Sequence, residues 1–197
     1  MSKKKKAPKI IEFPNEYKVC GADLSLRRPG WCILTVKDKK IIDVKLFSLD
    51  NKAKNKTHGQ ILTEIYDVFY NNVIKETNTA TWFYVREKMV MLVKVPSERD
   101  VAKVVGLMDF MLGDKEWNEI YPTTVKKLIT GSGKAQKTEV AIELSKYIGT
   151  QNYKCDDEYD AAAVAVAWLI QQEQIKQIDN SKLGFSVMPF ANEELPF

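Results

Sequence analysis

Hydrophobic and polar positions first fall into a regular pattern at Glu16. Three strand-like segments follow, at about 17–24, 30–37 and 40–48. Arg27-Arg28-Pro29-Gly30 separates the first two, and the short Asp38-Lys39-Lys40 break before the third suits a hairpin. Successive hairpins imply an antiparallel half of a sheet. Past a polar loop at 51–57 the period lengthens. Ile61, Ile65, Val68, Phe69 and Val73 recur at helical spacing and predict a helix over about 59–75. A strand at 80–87 comes next, then a helix over 97–112 with Ser97 as N-cap, then a short strand near 117–121. Pro122 opens a short helix to about Ile129, which Gly131 and Gly133 end. Two more helices are expected at 137–148, stopped by Gly149, and at 157–174. Three hairpin-linked strands followed by alternating strands and helices predict an α/β domain, with a mixed five-stranded sheet flanked by helices. The expected organisation is a disordered basic arm at 1–14, one domain at 15–175 and a polar tail at 176–197.

Four carboxylates punctuate this pattern. Asp23 closes the apolar stretch Val19-Cys20-Gly21-Ala22, and Glu87 closes Trp82-Phe83-Tyr84-Val85-Arg86. Asp157 and Asp160 stand at i and i+3 at the head of an alanine-rich run, so both project from one side of a helix, the side continued by Ala161, Val164 and Trp168. Acids at the ends of buried elements are costly unless a positive partner is present. Hard divalent cations prefer oxygen ligands, and two of them about 3.5–4 Å apart can activate water, steady a leaving oxygen and relieve charge on a phosphodiester. Acids from the first strand, the fourth strand and the last helix can meet at one sheet edge if those strands are neighbours. The competing reading is plainer: Asp156, Asp157 and Glu158 cap the helix and complement its dipole. That reading explains Asp160 less well, because it lies further into the helix on the apolar side.

Composition narrows the class. The chain has 197 residues, 45% of them hydrophobic, enough for one sizeable core. The net charge is only +4 but unevenly spread, with Lys3, Lys4, Lys5, Lys6 and Lys9 forming a basic arm suited to solvent or to polyphosphate. Three cysteines without a CxxC spacing and a single histidine, His58, argue against a Cys/His zinc site and fit reduced thiols. His58 itself is expected at the surface or at a helix start. The basic start lacks the apolar core of a signal peptide, and the longest apolar run, 161–170, is about half a bilayer span, so a cytoplasmic protein without membrane contact is expected.

The chain resembles the RuvC-type Holliday junction resolvases of the RNase H-like nuclease superfamily. The resemblance covers about 17–172 and rests on four stretches in the family's order. These are Gly21-Ala22-Asp23-Leu24-Ser25 with Pro29-Gly30-Trp31; the strand ending in Glu87; Pro122-Thr123-Thr124-Val125-Lys126-Lys127 followed by Gly131-Ser132-Gly133-Lys134-Ala135-Gln136-Lys137; and Asp157-Glu158-Tyr159-Asp160-Ala161-Ala162. The resemblance implies an RNase H-like sheet and a Mg2+-dependent endonuclease (Mn2+ substituting), acting as a homodimer that nicks two opposed strands of a four-way junction. By matched position Asp23, Glu87, Asp157 and Asp160 are the implied metal ligands, and Lys126 and Lys137 the two basic groups at the catalytic site. Two departures stand out. Leu24-Ser25 replaces the family's frequent Pro-Gly, and Lys88-Met89-Val90-Met91 lacks the aromatic that contacts bases in some members. Small divergent members with such changes are often encoded by phages, which would place the protein in a bacterial host cell. Relaxed selectivity leaves open a nuclease of the same fold acting on flaps, forks or RNA–DNA hybrids, a non-catalytic junction-binding protein, or an interaction protein built on the fold.

The remaining features are subordinate. Gly131-Ser132-Gly133-Lys134 is not a P-loop, since Leu128 stands where the first glycine belongs, Ala135 follows the lysine, and a helix precedes it. It reads as a glycine loop placing Lys134 and Lys137 near phosphates, or as an ordinary helix connection. Lys88, Lys94, Arg99, Lys127 and Lys134 are the candidate DNA contacts. The last residues, Glu193-Glu194-Leu195-Pro196-Phe197, resemble the acidic Pro-Phe tip of bacterial single-strand DNA-binding proteins, which suggests a tail-mediated protein partner beside the alternative of a featureless tail.

Overall fold

The computed structural model describes residues 11–51, 55–89 and 96–176. The lysine arm at positions 3–9, Lys94, Met91 and the 193–197 tail lie outside the described residues. Five strands, β1 (Glu16–Asp23), β2 (Gly30–Lys37), β3 (Lys40–Ser48), β4 (Trp82–Glu87) and β5 (Trp117–Ile120), form one sheet in the order β3-β2-β1-β4-β5. β1, β2 and β3 pair antiparallel, while β4 and β5 run parallel to β1, so the mixed sheet with an antiparallel first half is as expected. Asp38 and Lys39 both take positive φ (48° and 60°), the left-handed pair that a two-residue hairpin demands.

Helices cover both faces. α1 (His58–Asn72) and α2 (Pro96–Leu112) pack on one side with Trp31, Phe47 and Tyr84. On the other, α3 (Pro122–Thr130) and α4 (Lys137–Ile148) enclose α5 (Asp156–Gln171). From Ala161 to Leu169 α5 is buried all round, which is why that run is apolar on every side rather than along one stripe. Its alanines let the helix approach closely. At Gly21 a side chain would meet the carbonyl of Ala161 and the methyl of Ala165, and at Gly30 the backbone of Asp157. Two glycines and an alanine face therefore set how far α5 sits from β1 and β2.

Element ends differ from expectation for local reasons. Thr57 caps α1 in a reciprocal capping box with Gln60, and the helix gives way at Val73 to a 3₁₀ turn at Ile74–Glu76. α2 begins at Pro96, so Ser97 lies inside its first turn instead of capping it. α5 stops at Gln171, where Glu173 adopts positive φ. Ile11 and Phe13 lie ahead of the domain edge drawn at 15, yet both pack on the α5 layer, with the Phe13 ring 4.8 Å from Phe83 and 5.7 Å from Trp168. Among the described residues no helix is long and apolar enough to cross a membrane.

Candidate active site

Strand alternation places two of the acids. On β1, Tyr17, Val19 and Gly21 face the α5 layer, and Asp23 follows in the same phase. On β4, Phe83 and Val85 face that layer, and Glu87 continues it. Parallel pairing sets Ala22 opposite Arg86, so both acids leave the sheet at neighbouring carboxyl ends, the usual place for a ligand in a sheet of this kind. α5 brings Asp160 to the same edge. A cleft of about 170 Å³ opens there, with Asp23, Glu87, Lys126, Lys137, Tyr159 and Asp160 in its walls. A second cavity of about 130 Å³ shares Asp23 and Glu87 and continues past Arg86, Lys88 and Met89. The two strand-end acids thus stand between two hollows.

The acids repel one another. Burial pushes the Asp23 carboxyl up to about 7, with Asp160, Glu87 and Asp157 adding to the shift and Lys137 opposing it. Burial and Asp160 also raise Glu87, against the pull of Lys126 and Lys137. Asp160 is raised by burial, and its hydrogen bond from Lys137 works the other way. Lys137 Nζ lies 3.1 Å from Asp160 Oδ2 and 3.3 Å from Asp156 Oδ2, while the Tyr159 hydroxyl donates to the Lys137 carbonyl at 3.2 Å and ties α4 to α5. Lys126 Nζ donates to the Ala135 carbonyl at 2.9 Å, fastening the 131–136 loop to α3 beside the cleft. The glycine loop is therefore also a helix connection, opened by Gly131 in the left-handed conformation that ends α3.

Asp157 departs from its expected direction. It is not in the cleft wall with Asp160; its Oδ2 lies 3.2 Å from Arg28 Nε. Neither is it a helix cap, because Cys155 holds that position and no side chain caps α5. It remains near enough to Asp23 and Asp160 to raise both.

Among the described residues no three donors close into a ready-made metal cage. The donor chemistry nevertheless fits divalent cations. The convergent groups are all carboxylates, Mg2+ keeps several waters and so needs no closed protein cage, and Asp157 Oδ2 is buried without a hydrogen-bond partner. Lys137 already supplies one positive charge to this cluster, and an added cation would relieve the remaining repulsion.

Glu158 is a structural neighbour of the acid cluster that the sequence concealed among three first-turn acids. It is 1% exposed; Ser48 Oγ donates to its Oε1 at 2.7 Å and the Lys154 N–H to its Oε2 at 2.9 Å. Its register with the buried Ala161, Ala162 and Ala165 was the available signal. Glu158→Ala is expected to cost about 2 kcal/mol in urea unfolding, because two part-buried donors lose their acceptor.

Of the candidate DNA contacts, Lys88 Nζ sits 5.0 Å over the Tyr121 ring, and Arg99, Lys127 and Lys134 are exposed. Arg86, close to Lys88 in the chain but not among these candidates, pairs with Asp109 at 2.7 Å and Glu119 at 3.2 Å. His58 is the first residue of α1, its Nδ1 2.6 Å from Lys103 Nζ.

Known proteins are similar to this chain in sequence and in fold. A crossover junction endodeoxyribonuclease RuvC from Ehrlichia ruminantium (strain Welgevonden) is 30% identical over 158 residues, spanning 76% of this chain and 92% of that protein. The chain belongs to the RuvC family. The RuvC of Prochlorococcus marinus subsp. pastoris is 29% identical over 161 residues, spanning 79% of this chain and 98% of that protein. No family model matches. Among solved structures, Thermus thermophilus RuvC in complex with a Holliday junction substrate superposes with a TM-score of 0.66 at 16% identity, covering 82% of this chain and 99% of that one, which supports the RuvC fold.

Proposed function

We propose that this chain is a Mg2+-dependent endonuclease that resolves four-way DNA junctions by paired, symmetric nicks. The observation that carries the reading is the convergence of Asp23, Glu87 and Asp160 with Lys126 and Lys137 around one cleft, in a member of the RuvC family. Asp23, Glu87, Asp160 and Asp157 would hold the divalent cations, with Asp23 the central ligand. Bound there, such ions supply Lewis acidity toward the phosphate and lower the pKa of an attacking water. Lys137 and Lys126 place positive charge beside the position a scissile phosphate would take, where it favours the more highly charged transition state. Lys88, Arg99, Lys127 and Lys134 would meet phosphates further along the strands. A homodimer would set two such sites about a two-fold axis, matching the symmetry of the junction.

The test is a synthetic immobile junction, labelled on each strand, incubated with and without Mg2+. Two opposed nicks that require the cation are expected. Equal cutting of flaps, forks and junctions would instead favour a branched-DNA nuclease without junction preference, which the Lys88-Met89 departure permits. Lys137→Ala is expected to slow single-turnover nicking about 10²-fold or more while changing junction affinity by less than about threefold. A loss confined to binding would place Lys137 in DNA docking alone.

A further inference from the structure

Among the described residues, Asp157 is the acid of the cluster that faces an arginine, and that arginine stands on a fastened loop. Between β1 and β2, the Arg28 N–H donates to Ser25 Oγ at 2.9 Å, and the Asn51 N–H to the Arg27 carbonyl at 2.7 Å. The Leu49 N–H donates to the Pro29 carbonyl at 3.1 Å. The same loop begins at Asp23 and ends at Gly30, where an added Cβ would run into the Asp157 backbone. The guanidinium is thus held over the first turn of α5 by a fixed backbone. Asp157 most strongly, with Cys155 and Asp50 assisting against some desolvation, makes Arg28 hold its proton more firmly.

The contact is electrostatic rather than directional. Arg28 Nε lies 3.2 Å from Asp157 Oδ2, yet that oxygen is buried and makes no hydrogen bond of good geometry. A forked arginine–carboxylate pair would satisfy both oxygens and resist exchange. Here one oxygen is neutralised by proximity alone, which leaves it able to exchange its positive partner.

We infer that Arg28 is a positioning residue that competes with a divalent cation for Asp157, so that loading the site displaces an internal guanidinium. The inference rests on the reading of Asp157 as a cation ligand. Arg28 then sets how much free cation the site needs, and keeps Asp157 neutralised beside Asp23 and Asp160 when little is present.

Calorimetric titration of the full chain with Mn2+, without DNA, tests this. Arg28→Gln is expected to tighten Mn2+ binding about 1.5- to 5-fold, the range for loss of one competing, partly exposed ion pair. Arg28→Lys, which keeps the charge, should stay near wild type. In an Asp157→Asn background, Arg28→Gln should have no effect on the affinity. The gain should also shrink between about 0.05 M and 0.5 M salt, because a partly exposed pair is screened. Unchanged or weaker Mn2+ binding by a folded Arg28→Gln protein overturns the inference while leaving the acid cluster intact. A wild-type chain that binds no Mn2+ and nicks no junction overturns the reading of the site itself, and the Arg28 role with it.

Discussion

Replacing Asp23 by Asn is expected to abolish Mg2+-dependent nicking of a four-way junction, by at least about 10³-fold, while leaving junction affinity within about threefold. Asn keeps the size and one acceptor oxygen but removes the charge that stands among Glu87, Asp157 and Asp160. The same substitution should stabilise the metal-free protein at pH 8. In the folded state the Asp23 carboxyl is pushed up to about 7, against an ordinary value near 4 in the unfolded chain. The folded state therefore holds this proton more tightly, so stability is greatest in acid and is lost as pH rises from about 4 to about 7. At pH 8 the wild-type chain carries the whole cost of an ionised carboxylate in a partly buried acidic cluster, and Asn does not. With EDTA present the variant should gain about 2 kcal/mol, or roughly 4–8 °C in Tm. Added Mg2+ should then raise the wild-type Tm more than that of the variant. Thermal melts at pH 5 and pH 8, with EDTA and with Mg2+, separate the two effects. A variant less stable than wild type at pH 8 in EDTA would mean that Asp23 serves a structural hydrogen bond rather than a cation.

The parts of this site legible in the sequence are those fixed by periodicity. Strand alternation alone puts Asp23 in phase with Val19 and Glu87 in phase with Val85, and the hairpin spacing of the first three strands orders the antiparallel half of the sheet. The buried run 161–169 marks the central helix. Where the reading strayed, tertiary contacts decided. The i, i+3 spacing gives Asp157 and Asp160 similar directions, but Arg28, on a loop with no periodic signal, faces the first while Lys137 bonds the second. Glu158 resembled a dipole-complementing acid because its partners, Ser48 and the Lys154 N–H, are distant in sequence or belong to the backbone.

Gly30→Ala is expected to cost about 3 kcal/mol and to reduce nicking by about 10²-fold even at temperatures where the protein remains folded. Gly30 pairs with Asp23 across β1 and β2, and an added Cβ would run into the carbonyl of Asp157 and the amide of Glu158. Both obstacles are helix backbone, so neither can turn aside as a side-chain tip could. The first turn of α5 is also anchored, through Glu158 to Ser48 and Lys154, and through Ala161 and Ala165 against Gly21. Relief therefore requires lifting the turn that carries Asp157 and Asp160 away from Asp23, which widens the acid cluster and weakens its hold on a cation. Stability and Mg2+ dependence should change together, with a higher Mg2+ concentration at half-maximal nicking. Gly106→Ala provides the control: it lies within α2 with nothing among the described residues within 4 Å of an added Cβ, and should be neutral or stabilising by about 0.5–1 kcal/mol. Urea unfolding of both variants, with nicking measured over a Mg2+ series, decides the matter. A Gly30→Ala chain as stable as wild type and unchanged in its Mg2+ requirement would show that close contact between β2 and the head of α5 does not position the acids.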